Sequence, residues 1–218
     1  MRRLVFILTV VAVMLAGCNN RTNTNTDTKT NVVVVDSIAL KKAELIKNEG
    51  IKAIGNINFF ISKEEFDKQE NLFKEQLKTT DIYKNGYFLG DYNFWNITGS
   101  FFNDSLFNVH MIGARIQYDD YNYRMPKQYE SLLSILTEKY GLPDEKKELP
   151  AWSDMSNNST WILAEWNLGF KKLFVIINCL GVDYRLDFFY YVPEVANRKK
   201  QAEKEQTEQN NHKAVEAL

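Results

Sequence analysis

The sequence of 218 residues contains only two cysteines, Cys18 and Cys179, and two histidines, His110 and His212. A disulfide-stabilised scaffold is therefore excluded, and a metal site built from several Cys and His ligands is not expected. Basic and acidic side chains balance, with 27 Lys and Arg against 28 Asp and Glu. That balance argues against a nucleic-acid partner, which a basic excess would attract. Hydrophobic residues make up 44% of the chain, which is enough for a packed core.

The sequence also lacks the common catalytic motifs. It has no G-x-S-x-G, no H-E-x-x-H, no phosphate-binding glycine loop and no EF-hand spacing. We interpret His110 as a solvated or hydrogen-bonded structural residue, because no partner residues accompany it as in a hydrolase triad. Paired carboxylates, with Glu165 and Asp187 among the candidates, are the remaining route to hydrolysis. We therefore predict a protein that is not an enzyme and that uses no cofactor and no metal.

The first residues have the features of an export signal. Arg2 and Arg3 precede an apolar run from Leu4 to Leu15. This run is shorter than the roughly 20 residues needed to cross a bilayer, and it matches the apolar region of a signal peptide. The tetrapeptide LAGC, which ends at Cys18, follows directly, and the whole segment resembles the signal peptide and lipobox of bacterial lipoproteins. A plain transmembrane start, or an ordinary secretory signal with a chance cysteine, is the alternative.

The resemblance implies that residues 1–17 are removed and that Cys18 carries a diacylglycerol on its thiol and an acyl chain, such as palmitate, on its new amine. Each buried methylene contributes about 0.8 kcal/mol, so several chains on one residue make a durable anchor. Asn19 leaves delivery to the outer membrane open. We expect a lipid-anchored protein of the cell envelope, on the outer membrane, with its body on either the periplasmic or the surface side. Loss of Arg2 and Arg3 shifts the formal charge from −1 to −3, which predicts no strong polyanion partner.

Composition divides the rest of the chain into a tether, a body and a tail. Residues 18–31 have almost no apolar side chain and predict a flexible, lipidated tether. The body covers residues 32–192. Residues 193–218 are rich in Lys, Glu and Gln, and this polar tail is predicted to be either a solvated helix or disordered. Cys179 follows an apolar run, so we expect its thiol to be buried.

Within the body, a helix is followed by strands, twice. A short helix is predicted over residues 38–48, and Ser62 with Glu65 forms a capping box that predicts the start of a longer helix. Aromatic and β-branched residues from 87 to 123 predict strands. The alternation of apolar residues slips there by one position, and a bulge at Ile112-Gly113 would restore its phase.

The second half repeats this order. Pro126 suits the first turn of a helix, and Gly141 suits its left-handed end. The apolar stripe of this helix consists of Tyr129, Leu132, Leu133, Leu136 and Tyr140. Strands are predicted over residues 160–170, 172–178 and 183–191.

Two such halves, residues 32–123 and 124–192, predict an α+β fold in which helices pack on one face of an antiparallel sheet. The order of elements is similar to that of tandem α-β-β-β proteins, such as the β-lactamase-inhibitor-like proteins and small outer-membrane assembly lipoproteins. This resemblance implies a fold and not a function.

Alternation along the last strands predicts which side chains lie outward. On the strand from residue 160, Ile162, Ala164, Trp166 and Leu168 are predicted to face inward, and Trp161, Leu163, Glu165 and Asn167 outward. The candidate binding face consists of Trp161, Glu165, Arg185, Asp187, Phe189 and Tyr191. Flat rings beside charged groups suit the recognition of a protein or a glycan. Our first hypothesis is a non-catalytic, protein-binding or assembly module. A surface glycan-binding lipoprotein that uses Trp161, Phe189 and Tyr191, and a carboxylate-dependent hydrolase, are the alternatives, and the rings could also be covered by the rest of the chain.

Overall fold

The computed structural model describes residues 40, 43–44, 46–78 and 86–216. The predicted signal segment, Cys18 and the tether lie outside the described residues. Contacts divide the chain into residues 1–38 and 39–218, and every described residue belongs to the second unit. Within the described ranges, no helix is both long enough and apolar enough to pass through a lipid bilayer.

The secondary structure follows the predicted order of helix and strands. The helices are α1 (Lys63–Leu77), α2 (Tyr121–Tyr140) and α3 (Pro193–Glu216), and residues 46–49 are also helical. The strands are β1 (Lys52–Ile54), β2 (Ile57–Asn58), β3 (Tyr87–Leu89), β4 (Tyr92–Phe102), β5 (Ser105–Gly113), β6 (Ile116–Gln117), β7 (Glu145–Lys146), β8 (Thr160–Leu168), β9 (Lys171–Cys179) and β10 (Asp183–Tyr191). Short 3₁₀ turns cover Tyr118–Asp120 and Trp152–Asp154.

Two predicted helix ends are confirmed. The Oγ of Ser62 accepts a hydrogen bond from the backbone N–H of Glu65 at 3.3 Å, which satisfies one of the free donors at the start of α1. α2 ends at Gly141, whose φ of +79° lies in the left-handed region that glycine adopts without strain. These ends are set by residues that are close together along the chain.

The start of α2 differs from the prediction. The helix begins at Tyr121, directly after a 3₁₀ turn, so Pro126 lies in its second turn and not in its first. A proline so near the start removes only one helical hydrogen bond, the one that its N–H would have donated to Asn122. The helix therefore tolerates Pro126 and includes five residues before it, Tyr121 to Met125.

Eight strands form one antiparallel sheet in the order β3-β4-β5-β10-β9-β8-β7, and β6 pairs with the first residues of β10. β1 and β2 form a separate two-stranded sheet. The last long strands of the two predicted halves, β5 and β10, meet at the centre, with Phe188 opposite Met111 and Tyr190 opposite Val109. The predicted α+β fold with an antiparallel sheet is confirmed.

α2 packs on one face of the sheet, which we call the covered face. The ring of Tyr121 meets that of Tyr184 edge-on at 4.6 Å, and Tyr140 meets Tyr190 at 6.1 Å. Trp166 is fully buried on the same face. Burial of one such side chain contributes about 2–3 kcal/mol. Because several large rings are buried together on the covered face, this face holds the main core of the protein.

The slip in alternation between β5 and β6 corresponds to one extra residue opposite β10, as the predicted bulge at Ile112-Gly113 requires. Met111 and Ile116 are five positions apart, whereas their partners Phe188 and Tyr184 are four apart. β5 ends at Gly113 and β6 begins at Ile116, and both strands pair with β10. The backbone N–H of Gly113 donates to the side chain of Asp187 at 2.9 Å, which ends the regular ladder there. Ile116 is fully buried after this point, whereas Tyr118 is 49% exposed.

A buried lysine attaches the start of the described chain to the sheet. Lys171, the first residue of β9, is 1% exposed, and its Nζ donates to Glu49 Oε2 at 3.2 Å and to the carbonyl oxygen of Lys52. The Nζ of Lys139 lies 3.4 Å from Glu49 Oε1. Burial alone would raise the pKa of Glu49, but the two ammonium groups outweigh it and lower that pKa, whereas burial lowers the pKa of Lys171.

The polar tail is helical, which is one of the two predicted states. α3 buries Val195 against the body, and Lys199 Nζ lies 5.5 Å from the centre of the Phe107 ring on the covered face. Lys199 also lies 3.8 Å from Glu203, one turn further along. Such pairs stabilise an exposed helix by only a few tenths of a kcal/mol each, so α3 is joined to the body mainly through its first turn.

Candidate functional site

The face of the sheet opposite α2, which we call the open face, carries the side chains that alternate with the core residues. The ring contacts that α1, α2 and α3 make with the sheet all involve the covered face. Strand register places the following central residues on the open face: His110, Glu165, Lys172, Phe174, Ile176, Asn178, Arg185, Asp187, Phe189 and Tyr191. Most of them keep part of their surface exposed.

Three aromatic rings form a cluster on the open face, which we call the ring cluster. Phe174 and Phe189 stack with their centroids 5.4 Å apart, and Tyr191 lies 5.7 Å from Phe174 and 6.1 Å from Phe189. They meet because β9 and β10 pair Phe174 with Phe189, and Tyr191 follows two residues later on the same face. Phe189 and Tyr191 are only partly buried, so the cluster presents apolar surface.

A fully buried carboxylate, Asp187, lies beside the ring cluster. Its Oδ1 accepts hydrogen bonds from the backbone N–H of Gly113 and from Arg185 Nε, both at 2.9 Å. Its Oδ2 accepts from Asn178 Nδ2 at 2.9 Å and lies 3.1 Å from His110 Nε2, which fits the tautomer protonated at Nε2 because a carboxylate only accepts. Such a group is tolerated in a protein interior only when it is paired and hydrogen-bonded. We call these side chains the Asp187 cluster.

A second ion pair flanks the rings on the side of β8. Lys172 Nζ donates to Glu165 Oε1 at 2.6 Å and lies 5.9 Å from the centre of the Phe174 ring. The hydrogen bond to Glu165 raises the pKa of Lys172. Both side chains are partly exposed, so this pair contributes at most about 1 kcal/mol to stability.

The structure brings five of the six predicted binding residues together on the open face: Glu165, Arg185, Asp187, Phe189 and Tyr191. Trp161 is on the other side, because it pairs with Ile177, which is buried in the core of the covered face. Asp187 also differs from the expectation of an outward-facing carboxylate, since its hydrogen-bond partners enclose it completely.

The position of Trp161 has its cause in an irregularity of β8. The register shifts between Ile162 and Ala164, so Leu163 is an extra residue and the alternation reverses there. Leu163, predicted to face outward, is 1% exposed, and Ile162, predicted to face inward, is 43% exposed. From residue 164 to residue 168 the strand follows the prediction.

Two contributors to the open face were not selected from the sequence. Phe174 completes the ring cluster and Asn178 completes the Asp187 cluster. Both lie in β9, whose nearly continuous apolar run hides the alternation of its faces. In the register of β9 and β10, Phe174 lies opposite Phe189 and Asn178 lies opposite Arg185. Pairing the two predicted strands in this register would have identified both residues. Cys179 is buried, as predicted.

The open face thus offers flat rings, one guanidinium and one imidazole for contact with another molecule. The carboxylates of Asp187 and Glu165 are both engaged by cations. A scan against protein-family models, a search of curated proteins and a search of solved structures find no match to the chain.

Proposed function

We propose that this chain is a lipid-anchored lipoprotein of the bacterial cell envelope, on the outer membrane, that binds a protein partner through the open face and catalyses no reaction. The observation that carries the binding proposal is the open face, where the partly exposed rings of Phe189 and Tyr191 lie beside oriented polar groups. The anchor is supported by the basic start, the short apolar run and the LAGC tetrapeptide that ends at Cys18.

The chemistry of the open face favours a protein surface as the occupant. Aromatic residues and arginine are enriched at the centres of protein interfaces, where desolvated rings supply most of the binding energy. On the open face Arg185 pairs with Asp187 and Lys172 pairs with Glu165, and Glu145, opposite Glu165 in the register, adds an acidic side chain. A face without a basic excess suits a mixed apolar and polar surface better than a polyanion.

The carboxylates of Asp187 and Glu165 support a role in structure and not in catalysis. Hydrolysis of a glycoside requires one carboxyl group to protonate the leaving oxygen and a second to act as base or nucleophile. Asp187 is enclosed by its donors, and Glu165 is bound by Lys172 at 2.6 Å. A three-ring glycan platform is also less well supported, because Trp161 is on the opposite side of the sheet from Phe189 and Tyr191.

Photo-crosslinking in living cells tests the binding proposal. A benzophenone amino acid at Ile162 or Asn167, both at accessible positions on the open face, is expected to give one discrete, stoichiometric protein adduct. The same amino acid at Tyr123, which is 77% exposed on α2, is the matched control and is expected to give none.

Phe189→Ser should abolish the adduct, since it removes one of the two partly exposed rings of the cluster while leaving the buried core of the covered face intact. An adduct at Tyr123 alone would place the partner elsewhere and contradict the proposal. An absence of protein adducts, together with binding on a glycan array, would favour the glycan alternative.

Cys18→Ser tests the anchor. We expect the variant to incorporate no labelled palmitate and to escape cleavage before residue 18, because the acylated thiol is the substrate of the lipoprotein peptidase. Cys179→Ser is the matched control, since it removes the only other thiol and should leave labelling unchanged. Treatment of cells with globomycin, an inhibitor of that peptidase, should make a larger precursor accumulate. Recovery of the native product in the cytosol with Met1 in place would refute the proposal.

A further inference from the structure

Within the Asp187 cluster, part of the Arg185 guanidinium has no hydrogen-bond acceptor among the described residues. Arg185 contacts Asp187 through Nε alone, at 2.9 Å and 3.0 Å from the two carboxylate oxygens. Within the described part of the chain, neither Nη atom of Arg185 has a hydrogen-bond acceptor, so four of its five N–H groups are free. The side chain is 21% exposed, and its outer end is therefore accessible from the open face.

The position of the Asp187 carboxylate is fixed by groups other than Arg185. The backbone N–H of Gly113 and the amide of Asn178 fix the carboxylate, which in turn fixes the Nε of Arg185 and the Nε2 of His110. Nδ1 of His110 is left without a partner among the described residues. A guanidinium held through Nε presents its two Nη groups, which form a planar fork that matches a carboxylate.

We infer that the Asp187 cluster binds the C-terminal carboxylate of a partner chain whose last residue is apolar. Both Nη groups of Arg185 donate to the carboxylate, and the apolar side chain lies on the ring cluster. The inference rests on the proposed function, because it names which part of the protein partner contacts the open face.

Charge favours a carboxylate over a phosphate in this position. The ion pairs Arg185–Asp187 and Lys172–Glu165 cancel in charge, and Glu145 lies opposite Glu165 on the same face, so the site has no basic excess and accommodates a single negative charge more easily than the nearly double charge of a phosphate. Distance favours a chain end over an acidic side chain. Asp187 lies between Arg185 and Phe189 on the same face of β10, and a chain end carries its carboxylate and its apolar side chain on one residue, so both groups can contact the site together.

The test uses the ¹⁵N-labelled full chain in a mild detergent, titrated with N-acetylphenylalanine. We expect saturable shifts of the Arg185 Nε–H resonance with a Kd of about 1 mM. The neutral analogue N-acetylphenylalaninamide should bind at least about tenfold more weakly, because it lacks the charge-assisted pair. Arg185→Gln should weaken binding of the acid by a similar factor. Arg115→Gln removes a 70% exposed arginine that pairs with Asp183, and it should stay within about twofold of the wild type.

Four results would overturn the inference: equal binding of the acid and the amide, tighter binding of inorganic phosphate, equal binding of an amide-capped aspartate, or unchanged binding by Arg185→Gln. The comparison of N-acetylphenylalanine with N-acetylphenylalaninamide uses the unaltered chain, so it tests the inference even if Arg185→Gln fails to fold. A protein adduct on the open face without any response of Arg185 to the acid would overturn the inference and leave the proposed function standing. Binding of the acid through Arg185 without a protein adduct would support the carboxylate site and contradict the protein partner.

Discussion

Replacement of Gly113 by alanine is expected to lower the free energy of unfolding by more than about 3 kcal/mol. A Cβ at this position would lie 2.0 Å from the backbone carbonyl oxygen of Leu186 in β10, and a backbone atom cannot rotate away as a side chain can. Relief of the clash requires β5 and β10 to separate at the centre of the sheet. That movement would also weaken the hydrogen bond from Gly113 to Asp187.

Gly99→Ala is the matched control, because Gly99 also lies inside a strand with a backbone conformation open to any residue. Its added Cβ would meet only side-chain atoms, the nearest being Leu106 Cδ1 at 2.8 Å. Rotation of that side chain limits the expected loss to about 1–2 kcal/mol. Urea unfolding followed by circular dichroism measures both values. Equal losses at the two positions would show that the contact with Leu186 is not the cause.

Features set by neighbours along the chain were predictable from the sequence. Ser62 and Glu65 form the predicted cap, Gly141 ends α2, and Leu132 and Leu136 of the predicted stripe are buried. Helix caps and helical periodicity involve residues within a few positions of one another, so their physical cause is contained in a short segment.

Features set by strand register were not predictable in the same way. The extra residue Leu163 moves Trp161 to the covered side, and no local property of β8 distinguishes a regular strand from a bulged one. The burial of Asp187 depends on a donor from Gly113, 74 residues earlier in the chain. The remaining candidates on β10 were placed correctly because that strand pairs with β9 without a register shift from Tyr184 to Tyr191, so its side chains alternate between the two faces.

Glu49→Gln is expected to cost about 3 kcal/mol of stability, since it removes the carboxylate that faces the almost fully buried ammonium of Lys171. The rings of Tyr140 and Tyr190, each 5.9 Å from Lys171 Nζ, attract the cation but do not neutralise it. Glu64→Gln is the matched control. Glu64 pairs with Lys68 at 2.8 Å on the exposed side of α1, where such a pair contributes at most about 0.5 kcal/mol.

A double-mutant cycle separates the charge from the packing. Lys171→Met removes the buried charge but keeps most of the volume of the side chain. The variant that combines it with Glu49→Gln is expected to be more stable than Glu49→Gln alone, because no uncompensated ammonium then remains in the interior. If the two losses simply added, Lys171 and Glu49 would act independently, and the ion pair would not be what attaches this segment to the sheet.

The loss caused by Glu49→Gln should depend on pH at both ends of the range. In the folded wild type the pKa of Glu49 lies below its ordinary value of 4.5, so its contribution is complete above that value and disappears as the pH falls through the folded pKa. The pKa of Lys171 is lowered from 10.5 by burial, so the unfolded chain holds its proton more tightly and stability rises as the pH rises through the window below 10.5. Without Glu49 the pKa of Lys171 falls further, which lets the variant regain stability at alkaline pH. Urea midpoints of the two proteins should therefore differ most at neutral pH and converge in acid and in alkali, whereas a purely steric effect of the glutamine would give a constant difference.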